Sequence, residues 1–431
     1  MLANVTWGRV ATALVLLLAG LQVFHLLLLS QLQERADREK AALLTRQQEH
    51  FYQESGETLN TMLDKLREKK VIDSWGSYYL VNNWIKGTIT IPAKQGKNLV
   101  TLVTQCSVDH LYNVVEMVEK WQGPISLSVF APGQDAIYAI EVILLLRYCV
   151  TLVAQYVTFH LVRPISAQET NLPLSVNLTI NMPNKHVCDN IELSLKKILR
   201  FDRTNYDTKD IPYPNNLLRN VALRNSVTGY VLVIDIDLRT SDNLFEDFRD
   251  FIATNRIIVE DPKTLETMLY VVPAFEVESN QTIPSIKSQL VNLWDKGIVR
   301  PFYEEVCPRC HKYTQYHAWK ILQKSSKLEM SFQVEWRDPW EPFVIAPKTI
   351  PYYDERFKQY GFNRISQACE LHIAGYSFNV LNNAFVVHKG FKTTDVFHKT
   401  KQEDMKKNKL LFRQFKEDMK TKYRDSPRKC H

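Results

Sequence analysis

Tyr230-Val231-Leu232-Val233-Ile234 is an unbroken apolar run that ends in two acids one residue apart, Asp235 and Asp237. Such a run predicts a strand buried on both faces, as in a parallel sheet covered by helices. Carboxylates at the end of a buried strand are costly unless paired or metal-bound, and in open α/β sheets ligands sit beyond the carboxyl ends of the strands. Carboxylates are hard oxygen donors suited to Mg²⁺ or Mn²⁺, and an ion held there would in turn hold a diphosphate. The competing reading is that the acids cap the next helix.

The segment from Asn98 to Pro164 shows the same architecture in its periodicity. Leu99–Thr104, Ile125–Phe130 and Val153–Leu161 read as strands. Between them, Leu111, Val114, Val115, Val118 and Trp121 share one helical face, and Ala136–Tyr148 reads as a second helix. Strands alternating with helices of this length predict βαβ units. The first strand ends in Thr104-Gln105-Cys106-Ser107-Val108-Asp109, with no Gly-rich fingerprint or phosphate loop after it. Dehydrogenase and P-loop classes are therefore disfavoured, and these small polar groups suit a base or ribose. Further on, Asn243–Ile252 predicts a helix and Leu269–Phe275 another buried strand.

At the N-terminus, Val10–Leu29 is apolar except for Gln22 and His25, long enough for a bilayer core, with no small-X-small cleavage site after it. It predicts an uncleaved type II anchor. Cations flank it mainly on the C-terminal side, at Arg35, Arg38 and Lys40, but long domains translocate largely regardless of charge. Gln31 to about Lys70 is helix-prone and polar, which suits a stalk. The 7 cysteines fit a lumenal body with disulfides and at least one unpaired thiol. Asn177 and Asn280 begin glycosylation sequons, as does Asn4 on the cytosolic side. Cys307-Pro308-Arg309-Cys310 has half the spacing of a zinc site but no second half, so disulfide bonding is the better reading.

The formal charge of +7 is concentrated: Lys389–Lys429 holds 14 Lys or Arg against 6 Asp or Glu, a local excess of +8. Leu410, Leu411, Phe415 and Met419 give that segment an apolar helical stripe, so its lysines read as a solvated face, with attraction of an acidic glycan as the alternative. No aromatics interleave with them as in a single-strand nucleic-acid binder. Arg219 and Arg224, before the acidic strand, suit a diphosphate or a sugar carboxylate, or else surface ion pairs. Trp336–Lys392 is dense in aromatics and charges, the composition of a sugar site or of a core.

The runs YPNNLLRN, YVLVIDID, WEPFVIAP, DERFKQYGFNRISQACELHIAG and VHKGFK together resemble the β-1,4-glucuronyltransferases that act on dystroglycan, and more distantly the glucuronyltransferase domain of the LARGE enzymes. The likeness spans roughly Asn98–Cys430. It implies an α/β GT-A fold with a mixed central sheet, preceded by a transmembrane helix and helical stem. The implied layout is a cytosolic tail (1–9), an anchor (10–30), a stem (31–95) and a lumenal catalytic domain (96–431). That domain would divide into a nucleotide-sugar half (96–270), an acceptor half (271–400) and a basic C-terminal helix (401–431).

The resemblance further implies inverting, Mn²⁺-dependent transfer of glucuronic acid from UDP-glucuronate to a terminal xylose in β-1,4 linkage. The expected acceptor is a xylose-terminated O-mannosyl glycan on dystroglycan, with LARGE-type enzymes as partners, a Golgi membrane location and no nucleic acid. Asp235, Asp237 and His388 are the implied metal ligands. Glu370 is the first candidate for general base and Asp354 the second, with Glu341 and Glu355 in the same region. Lys389, Arg219 and Arg224 are candidates for diphosphate or uronate contact. The alternatives are N-acetylglucosaminyl transfer to lactosamine chains, and a non-catalytic Golgi scaffold that binds glycan or a partner transferase.

Overall fold

The protein is described here from a computed structural model, which covers residues 7–165, 188–191, 193–195, 206, 211–258, 262–323, 325, 327–393 and 401–430. It comprises two compact units, Met1–Thr61 and Met62–His431. Helix α1 (Trp7–Glu68) begins in the first. It contains one stretch, Leu14–Ala36, long and apolar enough to cross a bilayer, with mean hydropathy 2.0. This overlaps the anchor read at 10–30.

Among the described residues the second unit holds fourteen strands. These are β1 (Val71–Ile72), β2 (Tyr78–Ile85), β3 (Val100–Ser107), β4 (Ile125–Phe130), β5 (Val157–Pro164), β6 (Tyr230–Val233) and β7 (Leu238–Thr240). They continue with β8 (Met268–Val272), β9 (Ala274–Val277), β10 (Val299–Pro301), β11 (Glu329–Val334), β12 (Phe343–Pro347), β13 (Ser377–Asn382) and β14 (Val386–Lys389). Ten form one mixed sheet in the order β1-β2-β5-β4-β3-β6-β12-β8-β13-β11, and four form a smaller sheet, β10-β9-β14-β7. Strands β5, β4, β3 and β6 run parallel, as the βαβ pattern predicts. The helices that matter below are α2 (Val114–Trp121), α3 (Asp135–Cys149), α4 (Thr151–Tyr156), α5 (Asn215–Arg224), α6 (Leu244–Ile258), α7 (Asn363–Ile373) and α8 (Lys401–Lys422).

Three boundaries differ from the sequence reading. The stem expected to reach residue 95 ends sooner: Met62 already belongs to the compact unit, Met62 and Leu66 are buried, and β2 pairs with β5. The strand expected from Val153 begins at Val157, because its partner β4 starts at Ile125, opposite Val157, and leaves nothing earlier to pair with; residues 151–156 coil into α4 instead. The run Leu269–Phe275 is two strands rather than one. Pro273 lacks the N–H a continuous ladder needs, and the chain there leaves the large sheet as β8 and enters the small one as β9.

Most of the aromatics of Trp336–Lys392 belong to the core. Trp336, Trp340, Phe343, Phe357 and Phe378 are all buried. On α8 the buried stripe is Phe412, Phe415 and Met419, while Leu410 faces solvent. Disulfides join Cys149 to Cys188, Cys307 to Cys310 and Cys369 to Cys430, and Cys106 is a buried free thiol. Asn280 stands on an exposed turn, whereas Asn4 and Asn177 lie outside the described residues.

Candidate active site

Three times the chain passes directly from the large sheet to the small one: β6 into β7, β8 into β9, and β13 into β14. Asp235 and Asp237 occupy the first of these joints, just past the carboxyl end of β6. Antiparallel pairing of β14 with β7 sets His388 opposite Leu238, the residue after Asp237. A residue some 150 positions downstream is thereby delivered to the acids, with its Nε2 3.1 Å from Asp237 Oδ2. Gly390, at φ +94°, then turns the chain back, and Lys392 Nζ reaches the same oxygen at 3.1 Å.

Asp235 is held from the other side. Arg219 of α5 donates Nη2 to its Oδ1 at 3.2 Å, and Arg364 of α7 donates Nη1 to its Oδ2 at 2.7 Å. Burial opposes ionisation of Asp235, but Arg364 and then Arg219 outweigh it and hold the carboxyl below its usual range. At Asp237 burial is likewise outweighed, by the His388 hydrogen bond and by Lys392, and the carboxyl stays well below its ordinary value. Both acids are therefore anionic at neutral pH.

The donor set suits Mn²⁺: two hard carboxylates and one imidazole. His388 Nδ1 donates to the Gly390 carbonyl at 2.6 Å, which orients the ring so that Nε2 faces Asp237. Among the described residues no three acids, histidines or cysteines already converge as a ligand shell. Lys392 and the two arginines take the places of an ion's charge, and Lys392 would have to give way to one.

The acids open into a cleft of about 900 Å³. Its floor includes Gln105 and Ser107 at the end of β3; its walls include Tyr303, Glu341 and the face of α8 bearing Lys409 and Arg413. Tyr213 donates its hydroxyl to Gln105. Glu341 is buried, and its backbone is fixed by donation to the Cys310 carbonyl at 2.9 Å. Its Oε2 stands 3.9 Å from Arg364 Nε and its Oε1 3.9 Å from His311 Nε2, neither close enough to be a hydrogen bond. Burial raises its pKa, an effect that Arg364 partly offsets and Asp235 reinforces. His311 is kept neutral, its pKa pushed down to about 3 by burial and then by Arg364.

The structure thus gathers Asp235, Asp237, His388 and Arg219, and places the other sequence candidates elsewhere. Glu370 is buried on α7 away from the cleft lining, accepting Lys422 Nζ at 2.6 Å and the Tyr423 hydroxyl at 2.9 Å. Asp354 is gripped by Arg356, with Oδ2 2.6 Å from its Nη2, and does not line the cleft either. Neither carboxylate is placed to take a proton there. Arg224 instead pairs with Glu355 at 3.0 Å and lies 4.7 Å over the Tyr352 ring, and Lys389 is exposed outside the lining. Lys392 and Arg364, both inside motifs visible in the sequence, are instead the cations set on Asp237 and Asp235.

A family described as glycosyl-transferase for dystroglycan matches residues 99–424. The chain belongs to that family. It is 37% identical over 436 residues to beta-1,4-glucuronyltransferase 1 of Danio rerio, covering 98% of both chains. With the Homo sapiens protein of the same name it shares 38% over 367 residues, 84% of this chain and 83% of that one. Xylosyl- and glucuronyltransferase LARGE2 of Mus musculus is 29% identical over 291 residues, 67% of this chain and 34% of its own length. The chain is a glycosyltransferase, and the α/β body with its mixed sheet is the GT-A-like scaffold expected of one.

Proposed function

We propose that this glycosyltransferase moves glucuronic acid from UDP-glucuronate to a terminal xylose, forming a β-1,4 linkage with inversion, on an O-mannosyl glycan of the dystroglycan type. The observation that carries this reading is the end-to-end match with beta-1,4-glucuronyltransferase 1, over 98% of both chains. The N-terminal apolar helix supports a type II anchor, which we assign to the Golgi membrane.

In this mechanism UDP lies across the carboxyl ends of β3 and β6. Gln105 and Ser107 face its nucleoside, and Lys392 and Arg219 lie near its diphosphate. Asp235, Asp237 and His388 would hold Mn²⁺, whose chemistry is to neutralise charge developing on the departing diphosphate. Glu341 serves as general base in place of Glu370 and Asp354. It takes the proton of the xylose 4-hydroxyl while that oxygen bonds to C1 of the glucuronate. The C1–O bond to UDP breaks with its electron pair going to the β-phosphate. A carboxyl whose pKa is raised by burial is better matched to this work at neutral pH than an ordinary one.

The test is a donor panel. The full-length chain in detergent, with Mn²⁺ and a β-xyloside, is expected to consume UDP-glucuronate in preference to UDP-N-acetylglucosamine, UDP-xylose and UDP-glucose. Preference for another donor would overturn the reading.

A further inference from the structure

Arg364 carries an unmet binding capacity that the chemistry above does not use. Its guanidinium is nearly buried, with the side chain only 11% exposed. Nη1 is committed to Asp235 at 2.7 Å, whereas Nε is buried and has no hydrogen-bond partner. Glu341 Oε2 stops 3.9 Å short of Nε. The guanidinium also lies 4.5 Å over the Phe343 ring, which fixes its plane. A buried donor without an acceptor is costly, and a fixed planar guanidinium is shaped for two-pronged binding of a carboxylate.

The position matters as much as the vacancy. Asp235 marks the diphosphate end of the cleft and Glu341 the acceptor end, and Arg364 touches the first and approaches the second. A sugar joined to the β-phosphate must lie between them. The other buried cleft arginine is already engaged, since Arg219 donates to Asn216 at 2.9 Å, Asn363 at 3.1 Å and Asp235 at 3.2 Å. Lys392 is engaged by Asp237 at 3.1 Å.

We infer that Arg364 is the donor-specificity residue: its Nε edge receives the C6 carboxylate of the transferred uronic acid, and its unmet donor penalises a neutral hexose. This rests on the glucuronyl-transfer reading and deepens it. A site that leaves a buried polar group unpaired rejects the analogue lacking the matching group.

The experiment is calorimetric binding of UDP, UDP-glucuronate and UDP-glucose to the full-length chain in detergent with Mn²⁺, comparing wild type with Arg364→Gln and Arg364→Lys. Wild type is expected to favour UDP-glucuronate over UDP-glucose by about 10–100-fold, the range of a charge-assisted hydrogen bond. Arg364→Gln is expected to bring the two sugars within about 3-fold of each other, whatever change in UDP affinity follows from loosening Asp235, with circular dichroism and a thermal melt reporting that the chain is folded. Arg364→Lys keeps the charge without the fork and should retain part of the preference. The inference is overturned if either variant keeps the full wild-type preference, or if affinity for all three ligands falls in parallel. A wild-type chain indifferent to the carboxylate would instead overturn the glucuronyl-transfer reading itself.

Discussion

His388 Nε2 lies 3.1 Å from Asp237 Oδ2, although the two residues are 151 positions apart in the chain. The contact exists because β14 pairs with β7 in the small sheet, and the Gly390 carbonyl orients the ring by accepting from Nδ1. If the pair ligates Mn²⁺, His388→Ala should raise the metal concentration for half-maximal transfer by about 10-fold or more, and Asp237→Asn should lower turnover at saturating metal by about 100-fold or more. Manganese titration of UDP release measures both. Unchanged titration curves would show that the acids serve only Lys392 and the arginines.

Glu341 and Arg364 make a second prediction. Glu341→Gln is isosteric and keeps the fold but cannot accept a proton, so kcat should fall by about 10²–10⁴-fold with KM for the donor nearly unchanged. The pH profile has a fixed sign. Transfer requires the carboxylate, and burial raises the Glu341 pKa above the ordinary glutamate value, so kcat/KM for the acceptor should rise with pH through a limb displaced upward from 4.5. A wild-type profile flat across that limb, or a Gln variant at wild-type rate, would remove Glu341 from the chemistry.

Sequence alone located the acids and the parallel core, because a β-branched run ending in charge has few other ways to fold. It could not rank the carboxylates of the acceptor half. Glu341, Asp354, Glu355 and Glu370 lie within thirty residues of one another, and what separates them is the neighbour each meets in space. Arg356 takes Asp354, Arg224 takes Glu355, and Lys422 takes Glu370. Glu341 alone of these four lines the cleft. Arg364 was hidden for a similar reason. It sits in the first turn of α7 like any exposed helical arginine, and only the packing of Phe343 beneath it reveals its role.

Glu370 has a structural consequence that can be measured separately. Its carboxylate ties α7 to the end of α8 through Lys422 and Tyr423, beside the Cys369–Cys430 disulfide. Glu370→Gln exchanges a buried charge-assisted contact for a neutral one and should lower unfolding stability by about 1–3 kcal/mol, with kcat per folded molecule within about 3-fold of wild type. Denaturant melts paired with active-site titration separate the two effects. A loss of kcat beyond 100-fold in fully folded protein would return Glu370 to the catalytic list.

The last prediction concerns acid stability. His160, buried in β5, accepts the Asn83 N–H on Nδ1 at 2.8 Å, and its Nε2 lies 2.9 Å from Ser126 Oγ, whose hydroxyl donates to the Ala222 carbonyl at 2.7 Å. Every lone pair and proton is assigned, so the ring is neutral with its proton on Nε2. Burial lowers its pKa to about 3. The unfolded chain, with an ordinary value near 6.5, therefore binds a proton before the folded one does. The resulting stability is present above about pH 6.5 and is lost as pH falls from there toward 3. Between pH 7 and pH 5 the loss attributable to this one ring is about 2 kcal/mol. His160→Gln offers a carbonyl to Asn83 and an amide to Ser126 but does not titrate. Thermal melts of the full-length chain should show a shallower decline from pH 7 to pH 5 in the variant than in wild type. Parallel declines would mean that His160 is not the residue sensing acid, since carboxylates contribute little to stability changes in that interval unless their own values are raised.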